Sequence, residues 1–88
     1  MNYVVNEHAR GRMNERGITE AELDGVMQGP QQVIEQPNGR MAFQSLIVRS
    51  GRIVMIRAFV DTRIDPAEVK SVYVTTNPRY WSAEDDAN

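Results

Sequence analysis

The sequence predicts an α+β domain in which two short N-terminal helices pack on a twisted antiparallel sheet of about four strands. Three observations carry this expectation. Between Asn6 and Pro30, apolar residues recur with a helical period and are bracketed by capping residues. Beyond Pro30 the period changes to strand-like alternation, and the alternating runs are separated by turn residues. With 88 residues, 41% of them hydrophobic and 25% charged, the chain can build one core and has no room for a second.

The first helix is expected over about His8 to Arg16. Asn6 can cap it by accepting from the next turn, and Glu7 sits where the positive end of the helix dipole favours an anion. Val5, Ala9 and Met13 form its apolar stripe at four-residue spacing, and Gly17 supplies a left-handed ending. Thr19-Glu20-Ala21-Glu22 then reads as a capping box, with Ile18 and Leu23 as its hydrophobic staple. Leu23, Val26 and Met27 share one face of this second helix, and Gly29-Pro30 stops it after Gln28.

Gln31 to Gln36, the Pro37-Asn38-Gly39 turn and the run from Arg40 to Val48 make a hairpin. A second long run, Arg52 to Val60, follows Arg49-Ser50-Gly51 and should pair antiparallel with the first. Asp61 to Pro66 is rich in turn residues, and Val69 to Thr76 supplies a last β-branched strand before Asn77-Pro78. The folded part is expected to span about residues 4–81, with the acidic stretch Glu84-Asp85-Asp86 in a frayed tail. Ile18, Leu23, Val26, Met27, Phe43, Met55 and Phe59 satisfy the periodicity of faces that must meet, so they are the expected core.

Composition excludes several functions. The absence of cysteine removes disulfides, thiolate catalysis and cysteine-ligated metals, and with His8 as the one histidine no metal centre or other cofactor is expected. The first residues carry neither a basic region nor an apolar stretch, and no apolar run is long enough to span a bilayer, which points to a cytoplasmic protein without a membrane partner. A net charge of −2 argues against a broad phosphate-gripping surface, although arginines can still gather on one face. A small domain is marginally stable, so a homodimer that buries more apolar surface is a reasonable expectation.

His8, Arg12 and Arg16 are spaced by four and line one face of the first helix. Such a row can hold a phosphodiester, with guanidinium forks on the oxygens and a neutral imidazole accepting a proton from an attacking hydroxyl. The same row is also what a solvated helix face looks like, with Glu15, Glu20 and Glu22 neutralising the arginines. Arg57 places a charge in the alternation Ile53, Met55, Arg57, Phe59, either as a functional break or at the rim of the core. Arg40 follows the hairpin turn, while Tyr73 and Thr75 share a face of the last strand. Arg79-Tyr80-Trp81 sets two aromatics beside an arginine, suited to stacking on a base or to covering a sheet edge or dimer seam.

The block His8-Ala9-Arg10-Gly11-Arg12-Met13-Asn14-Glu15-Arg16-Gly17-Ile18-Thr19, with the Gly39-Arg40 turn, the Gly51-Arg52 strand and Ser71-Val72-Tyr73-Val74-Thr75, resembles the bacterial proteins grouped as domain of unknown function 4258. That family is itself similar to the RelE and BrnT ribonuclease toxins. The resemblance implies two helices on a twisted antiparallel sheet, in the order α-α-β-β-β-β. It also implies RNA, an antitoxin or another protein as partner, and, if the chain is an enzyme, a metal-independent endoribonuclease. Under it His8 is the candidate general base and Arg12 and Arg16 are phosphate contacts; with Arg57, taken from the strand pattern, these are the catalytic candidates. Arg40 and Tyr73, which also match the resemblance, and Arg79, taken from the aromatic cluster, are the substrate-binding candidates. This chain departs from the toxins in its acidity and in lacking a basic cluster near its C-terminus. The alternative is a non-catalytic interaction module or a degenerate toxin.

Overall fold

The computed structural model describes residues 1–76 and Trp81. The elements are β1 (Tyr3–Val5), α1 (Glu7–Arg16), α2 (Glu20–Gln28), β2 (Gln32–Glu35), β3 (Met41–Arg49), β4 (Arg52–Asp61) and β5 (Ala67–Thr75). They form one five-stranded sheet in the order β1-β5-β4-β3-β2. The α+β class is as expected, but the strand count and direction need correction. A strand precedes the helices, and β1 pairs in parallel with β5 (Tyr3 opposite Ala67), so the sheet is mixed. Three residues are too few to display alternation, and the partner of β1 lies at the other end of the chain.

The caps act as their residue types require. The Asn6 side chain accepts from the Ala9 amide at 2.8 Å, and Gly17 closes α1 at φ 63°, where a side chain would be strained. In the capping box of α2, Thr19 Oγ1 accepts from the Glu22 amide at 3.0 Å and Glu22 Oε1 accepts from the Thr19 amide at 2.9 Å. Arg49, at the end of β3, ties this corner to the sheet. Its Nη2 donates to Glu22 Oε1 at 2.8 Å, and its Nη1 donates to the Arg16 carbonyl left without a helical partner at the end of α1. The ion pair holds the Glu22 carboxyl below its ordinary range, chiefly through the hydrogen bond from Arg49.

Both helices cover the same face of the sheet. Ala9, Met13, Ile18, Leu23, Val26 and Met27 pack on Phe43, Ile56, Ala58, Val60, Val69 and Val72. Six of the seven expected core side chains are buried, Leu23 to 2% exposure; Phe59 is the exception and is half-buried. The reason is the pleat. Ile56, Ala58 and Val60 point at the helices, so Met55, Arg57 and Phe59 point to the opposite face. Pairing of β4 with β5 also slips at Phe59/Val60, with Phe59 opposite Ser71 and Val60 opposite Val69, which leaves Lys70 as the extra residue of a bulge. Arg79, Tyr80 and the acidic segment 82–88 lie outside the described residues, whereas Trp81 is half-buried. Among the described residues no helix is long and apolar enough to cross a membrane.

Candidate functional site: a basic cleft beside an aromatic platform

Four residues in direct register cross the face of the sheet turned away from the helices: Gln32 opposite Gln44, Gln44 opposite Arg57, and Arg57 opposite Tyr73. Their side chains are linked in the same order. Gln44 Nε2 donates to Gln32 Oε1, Arg57 Nε to Gln44 Oε1 and Arg57 Nη1 to Tyr73 Oη, each at 2.8 Å. The charge that interrupts the alternation of β4 is therefore neither a rim residue nor snorkelling: Arg57 is 6% exposed and Gln44 is fully buried. Burying such groups is tolerable because their polar atoms are satisfied. The Arg57 guanidinium also lies 5.1 Å from the centre of the Phe59 ring and 5.7 Å from that of Tyr73. The two rings stack with centroids 5.6 Å apart. Arg57, Phe59 and Tyr73 thus sit at mutually similar distances, and Arg57 and Tyr73 together hold the Phe59 ring.

Phe59 also lines an open cleft of about 470 Å³, together with His8, Asn38, Arg40, Lys70 and Ser71. Four separate pieces of chain supply these groups. His8 comes from the first turn of α1, and the Asn38–Arg40 segment from the β2–β3 turn. Phe59 comes from β4, and Lys70 and Ser71 come from the bulged part of β5. Asn38 Oδ1 accepts from the Arg40 amide at 3.1 Å, which shapes the turn that delivers Arg40. On the outside of that turn Gly39, at φ 80°, lies against Arg63, where a Cβ would come within 3.0 Å of Nη1. Arg63 is in turn held by Asp61 at 3.0 Å, a bond that draws the Asp61 carboxyl down to about 2.

Lys70 is ion-paired with Glu68 at 3.2 Å, and His8 is exposed. Arg40 differs from both, because its Nε is buried with no hydrogen-bond partner. An orphaned guanidinium N–H costs about 1–3 kcal/mol, and the rest of this half-buried side chain lines the cleft.

The remaining candidates are placed elsewhere. Arg12 pairs with Glu15 on the surface of α1 at 2.9 Å, and Arg16 Nη1 donates to the Val72 carbonyl at 3.0 Å, holding α1 against β5. Of the row His8, Arg12 and Arg16, His8 alone lines the cleft, which it shares with Arg40, and Arg57 and Tyr73 support its aromatic wall. Arg79 lies outside the described residues. Sequence reasoning missed Phe59, Lys70 and Ser71 as lining groups. Phe59 reads as core, and nothing local marks the bulge that brings Lys70 round.

A second cleft, of about 570 Å³, lies beside β1 and is lined by Tyr3, Arg10, Glu20 and Asp24. Its polar groups are already satisfied. The Tyr3 hydroxyl donates to Asp24 at 2.9 Å, and the phenol is raised to about 12, first by burial and then by that carboxylate, while Arg10 pairs with Glu20 at 2.9 Å. With no orphaned group to offer, it is the weaker candidate despite its size. Comparison of the chain with known protein families, with curated proteins and with solved structures finds no match.

Proposed function

We propose that this chain is an RNA-binding domain of the RelE and BrnT toxin type, which takes a phosphodiester in the cleft between α1 and the β2–β3 turn. The observation that carries the reading is the meeting of Arg40, whose Nε is buried and partnerless, with His8 and Lys70 in one cleft. Arg40 is the phosphate contact and Lys70 adds charge. His8 is the group positioned to accept a proton from a ribose 2′-hydroxyl. That hydroxyl would attack the adjacent phosphorus, leaving a 2′,3′-cyclic phosphate as the 5′-oxygen departs with a proton from solvent. Asn38 and Ser71 offer further hydrogen bonds to the sugar-phosphate chain.

The test is to mix purified protein with a labelled single-stranded oligoribonucleotide and to follow binding by anisotropy and cleavage on a denaturing gel. Binding with cleavage that His8→Ala abolishes, while its affinity stays within about threefold, supports the enzyme. No binding at low salt contradicts the reading.

A second reading, a non-catalytic interaction module, is favoured by a different observation. Val48 and Ile53, register partners near the β3–β4 turn, are 70% and 67% exposed beside a partly exposed Leu46, an apolar group suited to a protein partner. Absence of RNA binding at low salt would favour this module, whereas RNA binding without cleavage by any preparation would remove only the catalytic role of His8.

A further inference from the structure

We infer that the cleft selects an unpaired base, laid on the ring of Phe59, and so discriminates single-stranded from duplex RNA. The inference rests on the RNA-binding reading above and adds a specificity element to it. Phe59 brings the one benzene ring among the described residues lining that cleft, and it is half-buried where the strand pattern leads one to expect a core residue. A large ring left partly open beside cationic groups offers a base what a base needs, an apolar π-face next to the place where its phosphate is neutralised.

The platform is built in advance. Tyr73 stacks on Phe59 at 5.6 Å, and Arg57 lies 5.1 Å from the Phe59 centroid. Arg57 is itself held by Gln44 Oε1 on one side and Tyr73 Oη on the other. The ring therefore loses little rotamer freedom when a base settles on it, so less of the stacking energy is spent on ordering. Size points the same way. Clefts of roughly 300–1,000 Å³ hold small ligands, and at about 470 Å³ this open one has room for a nucleotide unit. In an A-form duplex the bases are already stacked on one another, so their π-faces are covered and a ring held in the sheet cannot reach one.

The experiment compares three probes of equal label: a single-stranded oligoribonucleotide carrying 2-aminopurine, the same strand annealed to its complement, and a nucleoside monophosphate. Wild-type protein should bind the single strand at least tenfold more tightly than the duplex and should change the 2-aminopurine fluorescence on binding. The monophosphate should compete if the base and its own phosphate suffice. In Phe59→Leu, which keeps an apolar side chain, single-strand affinity should fall roughly ten- to hundredfold, the usual worth of one stacked base. Its salt dependence should be unchanged, because the phosphate contacts remain. Phe59→Trp should retain the preference and the fluorescence change, and it decides the matter if the leucine variant does not fold.

Equal affinity for single strand and duplex, or a Phe59→Leu variant with wild-type single-strand affinity, overturns the stacking role and leaves RNA binding standing. A Phe59→Trp variant that folds but has lost the preference and the fluorescence change overturns it as well. Absence of any RNA binding by the wild type at low salt overturns both.

Discussion

On the helix side of β4, Ile56, Ala58 and Val60 are closed off by Leu23, Val26, Met27 and their neighbours. On the other side of the same strand, Met55, Arg57 and Phe59 stand in a row with a polar ladder running across it. The two faces have equal access to backbone and burial, and they use them differently. The helix side relies on non-directional apolar contact, which tolerates any side chain of about the right volume. The ladder side relies on directional hydrogen bonds and a fixed guanidinium, so each member depends on the next. Rigidity of that kind is of little use to a core and of considerable use to a binding platform. On the RNA-binding reading proposed above, stability rests mainly on one face and recognition on the other.

Substitutions can break or sharpen that division. The largest expected effect is on the helix side: Leu23→Ala should lose about 2–5 kcal/mol in denaturant unfolding, the usual range for truncating a leucine buried this completely. RNA affinity of the fraction that remains folded should be unaltered. A loss of affinity in folded protein would blur the two faces, and a midpoint shift within error would contradict the burial.

A smaller effect is expected from Arg49→Ala, which removes the clamp from β3 to the end of α1 and to Glu22. About 1–2 kcal/mol is reasonable for a partly exposed, charge-assisted network. Its pH dependence has a defined sign. The folded Glu22 carboxyl is held below its ordinary value of 4.5 by Arg49, so the pair's contribution is fully present above that value and disappears as pH falls through the lower folded one. The difference between wild type and Arg49→Ala should therefore narrow on acidification below about pH 4.5. A difference that stayed constant into strongly acidic solution would mean that the clamp works through packing.

How much of this was legible in the sequence follows from how local each signal is. The Asn6 cap, the Gly17 ending and the Thr19/Glu22 box are written within four residues of where they act, and all are present. The long alternation of β3 and β4 was equally plain. β1 was not, because its three residues gain meaning only from β5. The ladder gave half a signal: Arg57 is conspicuous in an apolar strand, but its partners Gln44, Gln32 and Tyr73 are ordinary residues until the register is known. The site behaves the same way. His8 and Arg40 could both be nominated, yet their meeting in one cleft, and the arrival of Lys70 through a bulge, depend on contacts far apart in sequence. Conversely, the even spacing of His8, Arg12 and Arg16 suggested one site where the structure has three separate engagements.

The central claim is that Arg40, delivered to the cleft by the β2–β3 turn, marks where an RNA phosphate is held. The most direct measurement is the salt dependence of single-stranded RNA affinity for wild type and Arg40→Ala, with unfolding midpoints determined in parallel. Each phosphate contact contributes a log-log slope of roughly −0.7 through counterion release. Arg40→Ala should therefore bind more weakly at low salt and show a slope shallower by about 0.7, with an unfolding midpoint no lower than that of the wild type. Identical slopes for the two proteins, or binding that ignored salt altogether, would contradict it.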